Sequence, residues 1–242
     1  MDISSRTGTL ATTVLVAALI IIAILTYQRN VVWNDSVSLW GDVVAKSPQK
    51  YRAHYNLATV LAGTNDLDRA LKENIIALEL NPVTPGAHFN IGAIKHVRGD
   101  LDTAIQLYKI AISMKPSDIK AHNNLGVAYH AKGLTALALQ EFNTALALDP
   151  SHLKTYLSRG NLYIDMDMAP KAYADYMRLL SYVPEHAESI LGAGIALEMM
   201  GRIEEAGQKY RLASGYRATR QSAEQRLREL YSRGTRRGIR YE

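Results

Sequence analysis

A pattern of 34 residues occurs five times in succession between Tyr51 and Arg220, and this repetition constrains the fold more than any other feature. Small residues recur in two aligned columns: Ala58, Gly92, Gly126, Gly160 and Gly194 in one, and Ala70, Ala104, Ala138, Ala172 and Ala206 in the other. A fixed period of this length predicts stacked helical hairpins that complete one another's cores. We therefore expect an all-α array with repeats at 51–84, 85–118, 119–152, 153–186 and 187–220.

Each repeat is predicted to contain two helices joined by a tight turn. In the second repeat, we expect the helices at about 88–97 and 101–114. The turn column contains residue types that tolerate a left-handed backbone, namely Asn65, Gly99, Gly133, Asp167 and Gly201. Proline, which cannot continue a helix, follows the second helix of four repeats: Pro82, Pro116, Pro150 and Pro184. In the fifth repeat, Ala218 occupies this column.

These columns resemble those of the tetratricopeptide repeat (TPR) family, over about 170 residues from Tyr51 to Arg220. The resemblance implies a right-handed superhelical solenoid of hairpins and a protein whose role is to bind other proteins. Two positions depart from the pattern. Arg159 lies in a column that is apolar in the other repeats, and Lys95 lies in a column of leucine and tyrosine. We expect both departures to weaken packing locally.

Residues 10–27 are uncharged and mostly apolar, and they follow a short flank, 1–9. As a helix they would extend about 27 Å, which is close to the thickness of a bilayer core. A cleaved signal peptide and a buried core helix are alternatives, but the run is long for a signal core and lacks a clear cleavage site. We expect a single transmembrane helix before the solenoid, flanked by Arg6, Tyr27, Arg29 and Trp33.

Residues 33–48 match the second half of a repeat when they are shifted by 34 positions. The sequence therefore predicts a half-repeat helix that connects the anchor directly to the array. Residues 26–57 also resemble the junction in TMTC-like membrane proteins, whose TPRs lie on the lumenal or periplasmic side. This second resemblance implies an extracytoplasmic array, although the flanking charges leave the orientation open.

The carboxy-terminal segment 217–242 contains eight arginines and three glutamates, a net charge of +5 that equals the charge of the whole chain. Apolar residues at helical spacing predict a capping helix at 221–233, because the last repeat of such an array needs a cover. A basic tail follows at 234–242, and it either solubilises the end or binds anionic lipid or an acidic partner. Its arginines, with the one just before it, are Arg233, Arg236, Arg237 and Arg240. We expect no nucleic-acid binding, because the array has no basic stripe.

The resemblance implies that the first helices of the repeats line a concave groove for a partner. Asn56, Asn90 and Asn124 share one column there, and their amides either bind the backbone of an extended peptide or simply tolerate solvent. The other groove residues are Arg52, Tyr55, Phe89, His96, Lys120, Asn123, His130, Lys154, Leu157 and Asn161. We do not expect the chaperone-tail clamp of the family, because Tyr55 and Thr59 occupy the positions of its lysine and asparagine.

The sequence predicts no metal site or cofactor. It contains no cysteine, and the histidines His54, His88 and His122 lie one repeat apart, which is too far to share a metal. We expect these histidines to pack within their repeats.

No catalytic motif is present, so we expect a non-enzymatic scaffold that assembles a membrane-associated complex through an extended peptide segment or a subunit. Two alternatives remain open. The first is an accessory or regulatory subunit of a membrane glycosyltransferase, and the second is a stable subunit of a respiratory or photosynthetic complex.

Overall fold

The computed structural model describes the backbone of residues 3–32 and 35–236, and the side chains of residues 13–27 and 35–232. The regular secondary structure of this part of the chain is α-helical. Its helices are α1 (Ile3–Val32), α2 (Ser36–Lys46), α3 (Tyr51–Gly63), α4 (Leu67–Leu80), α5 (Pro85–Val97), α6 (Leu101–Met114), α7 (Ile119–Ala131), α8 (Thr135–Leu148), α9 (Leu153–Asp165), α10 (Ala169–Leu180), α11 (Ala187–Met199), α12 (Ile203–Ser214) and α13 (Arg220–Arg236). The chain forms two compact units, 1–94 and 95–242.

In the first unit, α2 packs on α3 and α3 packs on α4. Asp35 caps α2 by accepting hydrogen bonds from the backbone nitrogens of Val37 and Ser38, at 3.2 and 3.0 Å. Trp40 of α2 packs on a core that includes Leu57 and Leu61. The helix α2 thus covers α3 as the second helix of a preceding repeat would, while Trp33 lies outside the described residues.

In the second unit, α6 to α13 pack on one another in chain order. The first helix α9 also contacts the neighbouring first helices α7 and α11 directly. The rings of Tyr108, Phe142, Tyr176 and Tyr210, which share one column of the repeat, are buried. The rings of Phe142, Tyr176 and Tyr210 pack against Gly126, Gly160 and Gly194 of the paired first helices, which is how repeats of this type share a core.

The turn between the helices of every repeat contains one residue in the left-handed region. The φ angles are 64° at Asn65, 81° at Gly99, 72° at Gly133, 56° at Asp167 and 75° at Gly201. The prediction made from the turn column is therefore confirmed at all five positions.

The helix α13 covers the last repeat. Its Leu230 is buried in a cluster with Leu197 and Tyr210, and Ala223 is buried beside Ala213 in a neighbouring cluster. It begins one residue before the predicted capping helix and extends to Arg236. The side chains of Arg233 and Arg236, and all of 237–242, lie outside the described residues.

The helix α1 is continuous, and its described apolar side chains are exposed, for example 56% at Ile21 and 58% at Ile22. A helix with the length and apolar character needed to cross a membrane was not found among the residues that the structure describes. The predicted transmembrane anchor is therefore not supported. The side chains of residues 10–12, and those of Arg6 and Arg29, lie outside the described set.

Arg159 does not weaken the packing as expected, because it forms a specific polar network. Its Nε and Nη2 atoms each donate to Asp175 at 2.8 Å, and its Nη1 atom donates to Asn143 at 2.7 Å. The hydrogen bonds and the charge of Asp175 raise the pKa of Arg159 above its usual value, although burial opposes this shift. A bidentate pair satisfies both partners in a place where an unpaired charge would be costly.

Candidate functional site

A partly open cavity of about 290 Å³ lies between the first helices α9 and α11. Its apolar walls are Leu157, Ile164, Leu191 and Ile195. The polar residues Asn161, Asp165 and Glu188 also line it, together with Tyr176 and Gly192. We call this set of residues the α9–α11 groove. Apolar walls with a few polar groups are typical of binding sites.

The groove coincides with a missing side chain in the repeat pattern. Gly192 occupies the column that holds asparagine in the first three repeats and Ser158 in the fourth. The ring of Tyr176 lies between two glycines: a Cβ atom at Gly160 would lie 2.8 Å from its Cε1, and one at Gly192 would lie 2.5 Å from its Cζ. Because Gly192 has no side chain, the ring of Tyr176 packs directly against the backbone of α11 and lines the groove there.

The hydroxyl of Tyr176 reaches the groove and donates to Oδ1 of Asn161 at 2.7 Å. Burial raises the pKa of this hydroxyl, and the nearby carboxylates of Asp165 and Asp175 add to the shift. The tyrosine therefore remains a neutral donor at physiological pH. Since Oδ1 of Asn161 is engaged, its amide N–H groups are the donors that this side chain can offer to a ligand.

Two carboxylates give the groove a negative character. Glu188 is exposed in the first turn of α11, where the helix dipole stabilises a negative charge. Asp165 ends α9 with a side chain that is 62% exposed, and its Oδ2 lies 2.7 Å from Nε2 of His130. Among the described residues, no ion pair is found for Glu188.

The neighbouring surface on α7 and α9 is positive. Lys120 and Lys154 are exposed near the starts of these helices. The pKa of His96 is lowered, mainly by burial and then by the charge of Lys154. The pKa of His152 is also lowered, chiefly by burial, with contributions from both lysines. Since Lys154 and Glu188 share a repeat column, the charge changes sign from α9 to α11.

Two members of the asparagine column are engaged inside the protein. In the first unit, Nδ2 of Asn90 donates to Thr59 at 3.1 Å and to Asn74 at 3.4 Å. In the second unit, Asn124 forms a hydrogen bond with Tyr108. Burial raises the pKa of Tyr108 to about 12, although this hydrogen bond acts to lower it. These amides therefore support the packing of the repeats, and Asn56 is half-buried on α3 as they are on their helices.

The remaining predicted groove residues lie in different environments. Asn123 is buried, and its Oδ1 accepts from Thr155 at 3.2 Å, so its amide does not reach the surface. In the first unit, Nε of Arg52 donates to the hydroxyl of Tyr51 at 3.1 Å, and Phe89 is half-buried. The ring of Tyr55 packs against Gly86, where a Cβ atom would lie 2.5 Å from the hydroxyl oxygen of Tyr55.

The groove residues predicted from the sequence included Leu157 and Asn161 of the α9–α11 groove and missed its other members. Glu188, Leu191 and Ile195 lie 34 residues after Lys154, Leu157 and Asn161. The period alone therefore places Glu188, Leu191 and Ile195 on the same face of the next first helix. Ile164 and Asp165 likewise follow from the column of His130 and its neighbour. The asparagines drew attention to the first three repeats, whereas the cavity forms where that column ends.

Two residues of the histidine column, His54 and His122, hold neighbouring segments together. Nδ1 of His54 lies 2.6 Å from Glu73, and its Nε2 lies 2.9 Å from the carbonyl oxygen of Pro48. His122 repeats this arrangement with Glu141 at 2.6 Å and Pro116 at 3.0 Å. No group of three potential metal-binding side chains was found among the described residues.

Together, the hairpins, the left-handed turns and the groove on successive first helices define a helical-hairpin repeat protein. Residues 94–133 and 119–152 match two models of the tetratricopeptide repeat, which identifies this stretch as tetratricopeptide repeats. No match was found among curated proteins.

Solved structures extend the likeness of fold over most of the chain. YrrB, described as a TPR protein with an unusual peptide-binding site, is 19% identical, with a TM-score of 0.62 over 78% of this chain and 97% of that chain. PilF of Pseudomonas aeruginosa is 18% identical, with a TM-score of 0.66 over 75% and 84%. A tetratricopeptide repeat protein of Parabacteroides merdae is 24% identical, with a TM-score of 0.63 over 75% and 72%. The TMTC-like resemblance of residues 26–57 has no support in these matches.

Proposed function

We propose that this chain is a non-catalytic scaffold that binds an extended segment of a partner protein along α7, α9 and α11. The α9–α11 groove is the observation that carries this proposal. It combines apolar walls, the amide of Asn161 and two accessible carboxylates on the first helices of two successive repeats. YrrB, which has the same fold, is described as having a peptide-binding site, and this supports a peptide as the class of ligand here.

Cross-linking in intact membranes tests this proposal. Lys120 and Lys154 lie on the first helices that line the proposed face, whereas Lys109 and Lys171 are exposed on the second helices α6 and α10. We expect a lysine-reactive reagent to join a partner segment mainly to Lys120 and Lys154. Replacing Leu191 with Ala should reduce these cross-links, because it removes part of the apolar wall. Cross-links confined to Lys109 and Lys171 would contradict the proposal.

We further propose that residues 10–27 attach the scaffold to a membrane, so that the partner belongs to a membrane-associated complex. The uncharged run and the exposed apolar side chains of α1 support this part of the proposal. The basic residues of the carboxy-terminal tail would add attraction for anionic lipid headgroups.

Flotation of lipid vesicles with the full chain tests the attachment. The double substitution Ile21→Asp and Ile22→Asp places two charges in the apolar run and should move the protein from the vesicle fraction to the soluble fraction. The matched control Ile75→Asp alters an exposed isoleucine of α4 and should leave flotation unchanged. A wild-type chain that does not float would refute the attachment.

We propose an extracytoplasmic side for the repeats, and the absence of cysteine makes this directly testable. Ser151→Cys introduces a single thiol at an exposed position between α8 and α9. In intact cells, a membrane-impermeant maleimide should label this thiol without lysis. Labelling that requires lysis would place the repeats on the cytoplasmic side.

A further inference from the structure

Resting on the proposed function, we propose that the α9–α11 groove selects an apolar side chain that has a lysine or arginine close beside it in an extended peptide. The apolar walls define the first requirement. Leu157 and Ile164 come from α9, and Leu191 and Ile195 come from α11, so one inserted side chain contacts both helices. The space of about 290 Å³ accommodates a leucine-sized group together with part of the peptide backbone.

The carboxylates define the second requirement. Glu188 lies at the start of α11 and Asp165 at the end of α9, so the two charges lie at different parts of the groove lining. Among the lining residues there is no lysine or arginine to neutralise them. Among the side chains that the structure describes, the imidazole of His130 at 2.7 Å is the charged partner found for Asp165, which remains largely exposed. Within this lining a cationic side chain of the peptide would therefore find a partner and an anionic one would be repelled, whereas Lys120 and Lys154 lie outside the lining on α7 and α9.

The polar residues of the groove lining can bind the backbone of the peptide. Because Tyr176 donates to Oδ1 of Asn161, the amide N–H groups of Asn161 can donate to a peptide carbonyl oxygen. This contact does not depend on the peptide sequence, so the side-chain preference comes from the walls and the carboxylates.

Binding of the full chain to immobilised peptides of about ten residues tests this inference. Each peptide has a central leucine whose neighbours are both Lys, both Ser or both Glu. We expect the Lys peptide to bind most tightly and the Glu peptide least, with each carboxylate contributing about three- to fivefold in affinity. High salt should reduce the difference between the Lys and Ser peptides.

Matched variants locate the effect. Glu188→Gln should lower the preference for the Lys peptide over the Ser peptide about three- to fivefold. Adding Asp165→Asn should nearly abolish this preference. Glu204→Gln changes an exposed glutamate in the first turn of α12, outside the groove, and should have no effect. Circular dichroism verifies that each variant is folded.

The outcomes separate this inference from the proposed function. If Lys, Ser and Glu peptides bind equally, and Leu191→Ala or Leu157→Ala weakens all of them, the charge preference is refuted and peptide binding by the groove is retained. If folded Leu191→Ala and Leu157→Ala variants bind every peptide as the wild type does, both proposals fail. If Glu188→Gln and Glu204→Gln change the preference equally, the inference is also refuted.

Discussion

At the scale of single residues, Gly192 makes room for the ring of Tyr176, which lines the groove. We predict that Gly192→Ala lowers the free energy of unfolding by about 1–3 kcal/mol, because its Cβ would lie 2.5 Å from a buried ring. Gly207→Ala is the control, since its Cβ would meet Leu230 at an ordinary 3.6 Å. The Gly207→Ala substitution should raise the free energy of unfolding by about 0.5–1 kcal/mol. Denaturant unfolding measures both, and equal stability of the two variants would contradict the prediction.

Arg159 and Asp175 form a second residue-scale test. The side chains are 19% and 8% exposed, so Asp175→Asn leaves a mostly buried guanidinium without its carboxylate. We predict a loss of about 3 kcal/mol in the free energy of unfolding.

The second repeat supplies the control for this pair, because it carries Ile91 and Leu107 in the two columns. The double variant Arg159→Ile and Asp175→Leu should recover most of the lost free energy of unfolding, since apolar residues can replace a buried ion pair. A double variant less stable than Asp175→Asn would contradict this explanation.

At the scale of elements, the turns between helices contain the clearest local strain. Asp167 has a φ of 56°, a region in which a side chain is unfavourable. We predict that Asp167→Gly raises the free energy of unfolding by about 0.5–1 kcal/mol, whereas Gly133→Ala, at a φ of 72°, lowers it by about 1 kcal/mol. Thermal unfolding measures both. A decrease in stability for Asp167→Gly would show that its side chain has an unrecognised role.

The elements were predictable because the 34-residue period acts on every hairpin at once. In the second repeat it predicted the end of α5 correctly and its start to within three residues. It predicted both ends of α6 correctly. It also gave the left-handed turns, since each needs a particular backbone conformation whatever surrounds it. The role of α2 followed from the same period, because Trp40 falls in the column of large residues.

The groove was less predictable because it depends on how side chains share space. The asparagine column suggested a row of free amides, but Asn90 and Asn124 bond neighbouring side chains. The sequence suggested weak packing at Arg159, but this residue pairs with Asp175. Asp175 shares a column with Glu73 and Glu141, yet the sequence alone did not show that this column faces Arg159.

At the scale of the whole molecule, stability should depend on the protonation of His96 and His152. Burial lowers the pKa of each below its ordinary value of 6.5. Below that value, the unfolded chain binds protons at these sites more readily than the folded protein. The two histidines therefore decrease stability as the pH falls through this window, and they contribute little above it.

An NMR titration should give both histidines pKa values below 6.5. The variant His96→Asn and His152→Asn should lose less stability than the wild type between about pH 7 and about pH 5. Asparagine is a favourable N-cap residue at position 152, which precedes α9 and makes no side-chain cap hydrogen bond as histidine. A wild type and variant with equal pH dependence would contradict the assignment.

Methyl NMR of the full chain, titrated with the leucine peptide flanked by lysines, tests the peptide-binding groove most directly. Ile164 and Ile195 line the groove, whereas Ile110 is an exposed isoleucine outside it on α6. We predict saturable shifts of the methyl signals of Ile164 and Ile195, with the signal of Ile110 unchanged. Saturable binding that shifts Ile110 and leaves the two groove isoleucines unaffected would contradict the assignment of this groove as the peptide-binding site.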